Sequence, residues 1–180
     1  FVMLMNLRGV KESGKIFAIP TYFFVIIMFA TVLLGFFRYF TGSLGSVVNP
    51  PEFMIEGALA TVTPFLLLHA FSSGTSALTG IEAISNGITA FREPRSRNAG
   101  ITLVWMSSIL AVLFLGISFL SGRIGAVPSE GETIISQLTR TVFGGPNIIY
   151  LAAIAGTAVI LIMAANTAFA DFPRLSALQA

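Results

Sequence analysis

The chain has 180 residues, of which 55% are hydrophobic and only 10% are charged, and its formal net charge is +2. Soluble domains carry about 25% charged residues, and nucleic-acid-binding domains carry a much larger positive charge. This composition therefore excludes a soluble enzyme and a nucleic-acid-binding domain. With no cysteine and one histidine, the chain also lacks the parts of a thiolate nucleophile or a Cys- or His-based metal site, and we expect no cofactor.

Four apolar stretches are predicted to cross the membrane. The first covers residues 18–40, and its first 20 residues, about 30 Å of helix, carry no charge. The second, 58–91, is too long for one straight crossing and contains Pro64, several glycines and Glu82. We therefore expect it to be a helix that is broken near residues 72–80. Residues 99–120 and 148–170 are uncharged and complete the four spans.

Basic residues in the connecting segments predict the orientation. Seven lie on one side of the spans: Arg8, Lys11, Lys15, Arg92, Arg95, Arg97 and Arg174. Three lie on the other side: Arg38, Arg123 and Arg140. The positive-inside rule places the first set in the cytoplasm. We expect an integral, multi-pass protein of the cell (inner or plasma) membrane.

The outer loop between the last two spans contains a helix signal. Its sequence SEGE, at residues 129–132, is a capping-box pattern, and apolar residues follow it at helical spacing. We predict a short helix on the outer surface over residues 130–143. This helix could cover the mouth of the helix bundle, or it could take part in gating.

The predicted break in the second span is the most polar stretch at membrane depth. Unwound backbone persists in a bilayer only where it packs against protein or lines a wet cavity, and in secondary transporters such breaks form the substrate and ion site. Carbonyl and hydroxyl oxygens are hard ligands that suit a cation. The candidate substrate- or ion-binding residues are Ser73, Gly74, Thr75, Ser76, Thr79 and Glu82.

Glu82 is the candidate for proton coupling, because an intramembrane carboxylate is energetically expensive and marks ion or proton pathways. Thr79 lies three residues earlier, so both side chains would share a helical face and could hold a transported cation together. A structural alternative is that Glu82 reaches cytoplasmic water as an anchor. The serine-glycine run could also be a packing surface of small residues, as we expect for Ala152 and Gly156.

Several segments resemble permeases of the amino acid-polyamine-organocation (APC) superfamily. The sequence NLRGVKESG at residues 6–14 looks like the loop before the fifth helix of that superfamily. TGIEAISNG at 79–87, followed by Glu93-Pro94 and Asn98-Ala99, looks like the sixth helix and its exit. Together with ANTAFADFPR at 165–174, these segments are most similar to the KimA-type potassium transporters.

The resemblance implies an all-α integral membrane protein with part of the LeuT-like inverted-repeat fold. Residues 1–180 would be a fragment of a single transporter domain that holds helices five to eight, with 58–91 as the broken sixth helix. It also implies proton-coupled potassium uptake, with Thr79 and Glu82 at ion-binding positions. The implied partners are the transported K⁺ and protons, the lipid bilayer and the missing helices of the parent chain; a homo-oligomer is also open.

Other functions compete with this hypothesis. An amino acid permease of the same fold would use amides near Gly74 to hold the substrate carboxylate. A module that only packs in the membrane would tolerate polar replacements in the break and would bind no ion. We do not expect an enzyme, because the chain has one intramembrane carboxylate, no histidine pair and no cysteine.

Overall fold

The structure is a computed structural model, and it describes residues 10–51, 63–74, 88, 91–129 and 131–179. These residues form five α-helices: α1 Val10–Phe40, α2 Pro64–Gly74, α3 Arg95–Ile124, α4 Ile134–Val142 and α5 Ile148–Gln179. The described ranges contain helices and connecting loops and no β-strand. The predicted all-α class is therefore confirmed.

Three of the described helices are long and apolar enough to cross a membrane: Phe17–Phe40 within α1, Arg95–Ile124, and Ile148–Ala165 within α5. The predicted ranges 18–40, 99–120 and 148–170 fall inside α1, α3 and α5. Large apolar side chains project from all three helices, and Leu33, Trp105 and Leu161 are each more than 60% exposed. Apolar surface of this extent requires lipid or further helices around it.

The predicted second span, 58–91, lies mostly outside the described residues. Of this range the structure describes only 63–74, 88 and 91, and 64–74 form α2. The break near residues 72–80 and the total of four spans therefore stay predictions.

The chain divides into two compact units. One contains the residues up to 53 together with those from 116 onward, and the other contains residues 54–115. In the first unit, α1, α4 and α5 pack against one another, and the last turns of α3 contact α1. The second unit contains α2 and the first part of α3.

The core of the first unit lies where α3 ends and α4 packs against it. Five buried side chains form this cluster: Val47, Leu120, Ile124, Leu138 and Val142. We term this the outer end of the unit, following the predicted orientation. Fully burying one such side chain contributes about 1.5–3 kcal/mol, so the cluster firmly joins α4 to the end of α3.

Glycine allows close approach between α1 and α3. A Cβ atom at Gly116 would lie 2.6 Å from Val32 Cγ1, and one at Gly35 would lie 2.5 Å from Leu120 Cδ1. Both distances are shorter than any normal carbon contact. The two helices can therefore touch here because these positions carry no side chain.

A third glycine lets α5 pack on α1. A Cβ atom at Gly156 would lie 3.0 Å from the Phe23 ring, and Ala153, one turn earlier, is fully buried. Small residues at helix interfaces allow backbones to approach in this way in membrane proteins. The expected packing role of Gly156 is confirmed.

Helix α4 is short and buried on most of its surface. Thr133 is its N-cap, with Oγ1 accepting a hydrogen bond from the Ser136 N–H at 3.2 Å. The capping-box pattern points instead to Ser129, whose hydroxyl accepts from the Gly131 N–H in a local turn. The cap lies later because Glu132 is engaged in an ion pair with Arg140.

Candidate functional site

The structure describes two of the six candidate site residues. Ser73 and Gly74 lie in the last described turn of α2. The other four lie outside the described residues: Thr75, Ser76, Thr79 and Glu82. Ion binding by the set, the pairing of Thr79 with Glu82 and proton coupling by Glu82 therefore stay predictions.

Local sequence explains where α2 begins. Pro64 occupies the first helical position, where a missing N–H has no intrahelical partner to lose. Thr63 Oγ1 accepts a hydrogen bond from the Leu66 N–H at 3.1 Å and so caps the helix. The carbonyl groups of α2 point toward its Gly74 end, which carries the negative end of the helix dipole.

The side chains of α2 are exposed along its whole described length, and most of them are apolar. Phe65 is 77% exposed and Phe71 is 73% exposed, and no residue of this helix is buried. Exposed apolar side chains of this size are normally covered by other helices or by lipid. The candidate residues thus follow a segment that needs lipid or other helices around it.

A mostly buried ion pair, which no local sequence pattern predicts, lies at the outer end of the first unit. Arg140 Nη1 donates to Glu132 Oε1 at 2.6 Å, and Nη2 donates to Glu132 Oε2 at 2.9 Å. The two side chains are only 13% and 16% exposed. A bidentate arginine–carboxylate pair of this kind combines strength with a fixed geometry.

Arg140 also holds the loop that follows α1. Its Nε donates to the Val48 carbonyl oxygen at 2.9 Å, and Nη2 donates to the Asn49 carbonyl oxygen at 2.9 Å. One guanidinium therefore joins α4, the loop before α4 and the loop after α1. We term Glu132, Arg140 and the Val48 and Asn49 carbonyls the outer clasp.

Further hydrogen bonds surround the outer clasp. The Ser136 hydroxyl donates to Glu132 Oε1 at 2.6 Å, so the Tyr150 hydroxyl, 2.9 Å away, donates to Ser136. Arg38 Nη1 donates to the Thr141 carbonyl oxygen at 3.2 Å. These contacts connect α4 to α5 and to the end of α1.

Gln137 fixes α4 to the loop that follows α3. This side chain is fully buried, and its amide makes a two-way contact with the Val127 backbone. Nε2 donates to the Val127 carbonyl oxygen at 2.7 Å, and Oε1 accepts from the Val127 N–H at 3.1 Å. Both ends of the buried amide are thus satisfied, as a buried polar group requires.

A polar cluster of this kind supports structure more readily than ion binding. Each polar atom of Arg140 and Glu132 named above already has a protein partner. Across the described ranges, no group of three or more His, Cys, Asp or Glu side chains could hold a metal ion. The sequence signal that was available is the run of polar residues within α4, six of whose nine residues are buried.

Comparison with known proteins identifies the family. Residues 1–179 match the amino acid permease family. The chain is also 43% identical over 175 residues to the potassium transporter KimA of Bacillus subtilis (strain 168). The alignment covers 97% of this chain and 28% of that relative, so the chain spans little more than a quarter of its length.

These matches confirm the resemblance on which the predicted fold class depends. They agree with three helices that can cross a membrane, and they place the chain in a multi-pass membrane protein. The names of the family and of the relative are those of transporters rather than of enzymes. The chain therefore belongs to the amino acid permease family of the APC superfamily.

Proposed function

We propose that this chain is part of a secondary active transporter that takes up potassium together with protons. The observation that carries the proposal is the 43% identity to a potassium transporter across 97% of the chain. The residues that would form half of the ion site lie within this aligned length. Helices outside the chain would supply the other half.

In the proposed site, neutral oxygen atoms replace part of the hydration shell of K⁺. Backbone carbonyls at the Gly74 end of α2 and the hydroxyls of Ser73, Thr75, Ser76 and Thr79 would provide them. The negative end of the α2 dipole would add to the attraction. Ligands of this type suit a large monovalent cation, which does not demand several carboxylates.

Glu82 would couple ion movement to proton movement. It would take up a proton from the outer side when K⁺ binds beside Thr79, and it would release that proton into the cytoplasm when the ion leaves. The proton and K⁺ would thus cross the membrane in the same direction. Alternating opening of the inner and outer paths around the broken helix would complete the cycle.

The test is potassium-limited growth and rubidium uptake in a bacterial strain that lacks its own potassium importers. We expect the full-length parent protein to restore uptake and Glu82→Gln to reduce it by about tenfold or more. The reason is that a hydrogen bond or contact to a charged group is worth about 1.5–3 kcal/mol. The matched control is Glu93→Gln, whose side chain is 76% exposed in a surface turn and pairs with Arg95.

Two outcomes would contradict the proposal. A well-expressed parent without rubidium uptake would exclude potassium transport. Equal uptake by the Glu82→Gln and Glu93→Gln variants would remove Glu82 from the site while leaving the transported ion in place.

The family match favours a second candidate, an amino acid permease of the same fold. In that case backbone amides near Gly74 would hold the substrate carboxylate, and Glu82 would pair with its ammonium group. Uptake of labelled amino acids in the same strain separates the two candidates. Amino acid uptake by a parent that shows no rubidium uptake would favour this second function.

A further inference from the structure

The outer end of the first unit is held together by contacts between distant parts of the chain. Arg140 contacts residues 48 and 49, more than 90 positions earlier. Thr141 is a second such link, since its carbonyl accepts from Arg38 and its hydroxyl accepts from the Val48 N–H at 3.3 Å. Two successive residues of α4, Arg140 and Thr141, therefore connect this helix to the end of α1 and to the loop that follows it.

Movement of α4 away from the loop after α1 would separate Arg140 from the loop carbonyls to which it donates. Arg140 makes four hydrogen bonds, two to Glu132 and two to loop carbonyls. Glu132 directly precedes the N-cap of α4 and would move with it, so the ion pair itself would stay intact. Movement of α4 away from the loop after α1 would break the two hydrogen bonds from Arg140 to the Val48 and Asn49 carbonyls.

The same movement would expose apolar surface. Leu138 and Val142 of α4 are at most 1% exposed, and both belong to the core cluster with Leu120 and Ile124 of α3. Val47, in the loop after α1, completes that cluster, and its N–H donates to the Ile124 carbonyl oxygen at 3.0 Å. Polar and apolar contacts thus oppose the same displacement.

We propose that Arg140 holds α4, the loop after α1 and the outer ends of α1, α3 and α5 as one rigid body throughout the transport cycle. Helix α4 then acts as a fixed cover, and the outer path opens without movement of α4. The transport cycle itself rests on the proposed function. The rigidity rests on the clasp and the core cluster.

A reversible covalent lock tests whether α4 moves during transport. Val48→Cys combined with Thr141→Cys places thiols on two residues in direct contact, since the Val48 nitrogen lies 3.3 Å from Thr141 Oγ1, and the mass of the oxidised protein shows whether the disulfide has formed. The 180 residues contain no cysteine, so any cysteines elsewhere in the full-length parent are first replaced by serine. Rubidium uptake is then compared between oxidised and reduced protein.

We expect oxidised and reduced forms to take up rubidium at rates within about twofold of each other, since a lock on a contact that never opens has no effect. Loss of uptake on oxidation, restored by a reducing agent, would show that α4 must move and would overturn the proposal. The two single-cysteine variants control for the substitutions themselves.

A second measurement does not depend on transport. Hydrogen exchange of the α4 amides in the full-length parent should be at least about tenfold faster in Arg140→Met, because local opening becomes easier. The matched control Arg123→Met should leave it unchanged, since Arg123 lies over the rings of Tyr39 and Phe119. Equal protection in both variants would overturn the role of Arg140.

The two measurements also distinguish a failure of the proposed function from a failure of the rigid-body proposal. A parent without rubidium uptake would contradict the proposed function. Hydrogen exchange alone would then test the role of Arg140 in the outer clasp. A parent with normal uptake whose α4 amides change protection when potassium is added would retain the proposed function and overturn the rigid cover.

Discussion

Arg140 and Arg123 are both arginines at the outer end of the first unit, but their surroundings differ. The Arg140 guanidinium is buried against Glu132 and two loop carbonyls. The Arg123 guanidinium is exposed and lies 5.3 Å from the Tyr39 ring centroid and 5.1 Å from that of Phe119. Arginine at position 140 therefore links a carboxylate to loop carbonyls inside the unit, whereas arginine at position 123 contacts aromatic ring faces.

We expect Arg140→Met to lower the stability of the full-length protein by about 3–5 kcal/mol, because the mostly buried Glu132 carboxylate then loses its counter-charge and keeps only its hydrogen bond from Ser136. Arg123→Met should cost less than about 1 kcal/mol, since it removes only contacts to ring faces. The apparent melting temperature of purified protein, measured at one heating rate, compares the two variants.

A double variant separates charge from packing at the same place. Glu132→Met combined with Arg140→Met removes both charges and leaves apolar side chains of similar size. It should therefore be more stable than Arg140→Met alone. A double variant that melts below the single variant would show that Glu132 contributes to stability without Arg140, through its hydrogen bond from Ser136, and would contradict the cost of an uncompensated charge.

At the scale of elements, the contact between α1 and α3 depends on the missing side chain of Gly116. Val32 is β-branched and stiff about χ1, so its Cγ1 atom has little freedom to give way. We expect Gly116→Ala to destabilise the protein by about 1–3 kcal/mol through overpacking. Gly122 is the matched control in the same helix, because a Cβ there would meet nothing within 4 Å.

The control should change stability in the opposite direction. Gly122→Ala removes a flexible residue from a helix without a clash and should stabilise α3 by about 0.5–1 kcal/mol. Melting temperatures of the two alanine variants provide the measurement. If both variants changed stability in the same direction, the close approach at Gly116 would not determine the packing.

Sequence predicts the long helices better than the connections between them. The uncharged runs in α1, α3 and α5 are local signals, so their place in the chain follows directly from the residues. Helix α1 nevertheless begins at Val10, before the predicted span, since membrane crossing does not limit where a helix starts. Lysine and glutamate in that stretch are good helix formers.

The outer clasp depends on tertiary contacts that no local pattern encodes. Glu132 and Arg140 are eight positions apart, which is not a pairing distance within one helix. From the sequence alone, Arg140 is therefore only an outer charge, and the run of polar residues within α4 does not indicate which partners Gln137 has. For the candidate site, the proposed ion chemistry comes from the resemblance to permeases. The geometry of that site depends on residues 75–87, which lie outside the described ranges, and on helices beyond this chain.

At the scale of the whole molecule, the charge distribution predicts which loops face the cytoplasm. The loop after α1 should lie outside, and the turn before α3 together with the first turn of α3, which carry Arg92, Arg95 and Arg97, should lie inside. Ser46 and Ser96 form a matched pair for testing this, because both are exposed serines and one lies in each segment. Their places in the fold do not depend on what is transported.

We expect a membrane-impermeant maleimide to label Ser46→Cys in intact cells that express the full-length protein without other cysteines. Ser96→Cys should be labelled only after the membrane is made permeable, since seven basic residues hold that side in the cytoplasm. A permeant maleimide should label both variants and so controls for reactivity. The reverse labelling pattern would invert the orientation and place the outer clasp on the cytoplasmic side, where it would cover the inner path instead.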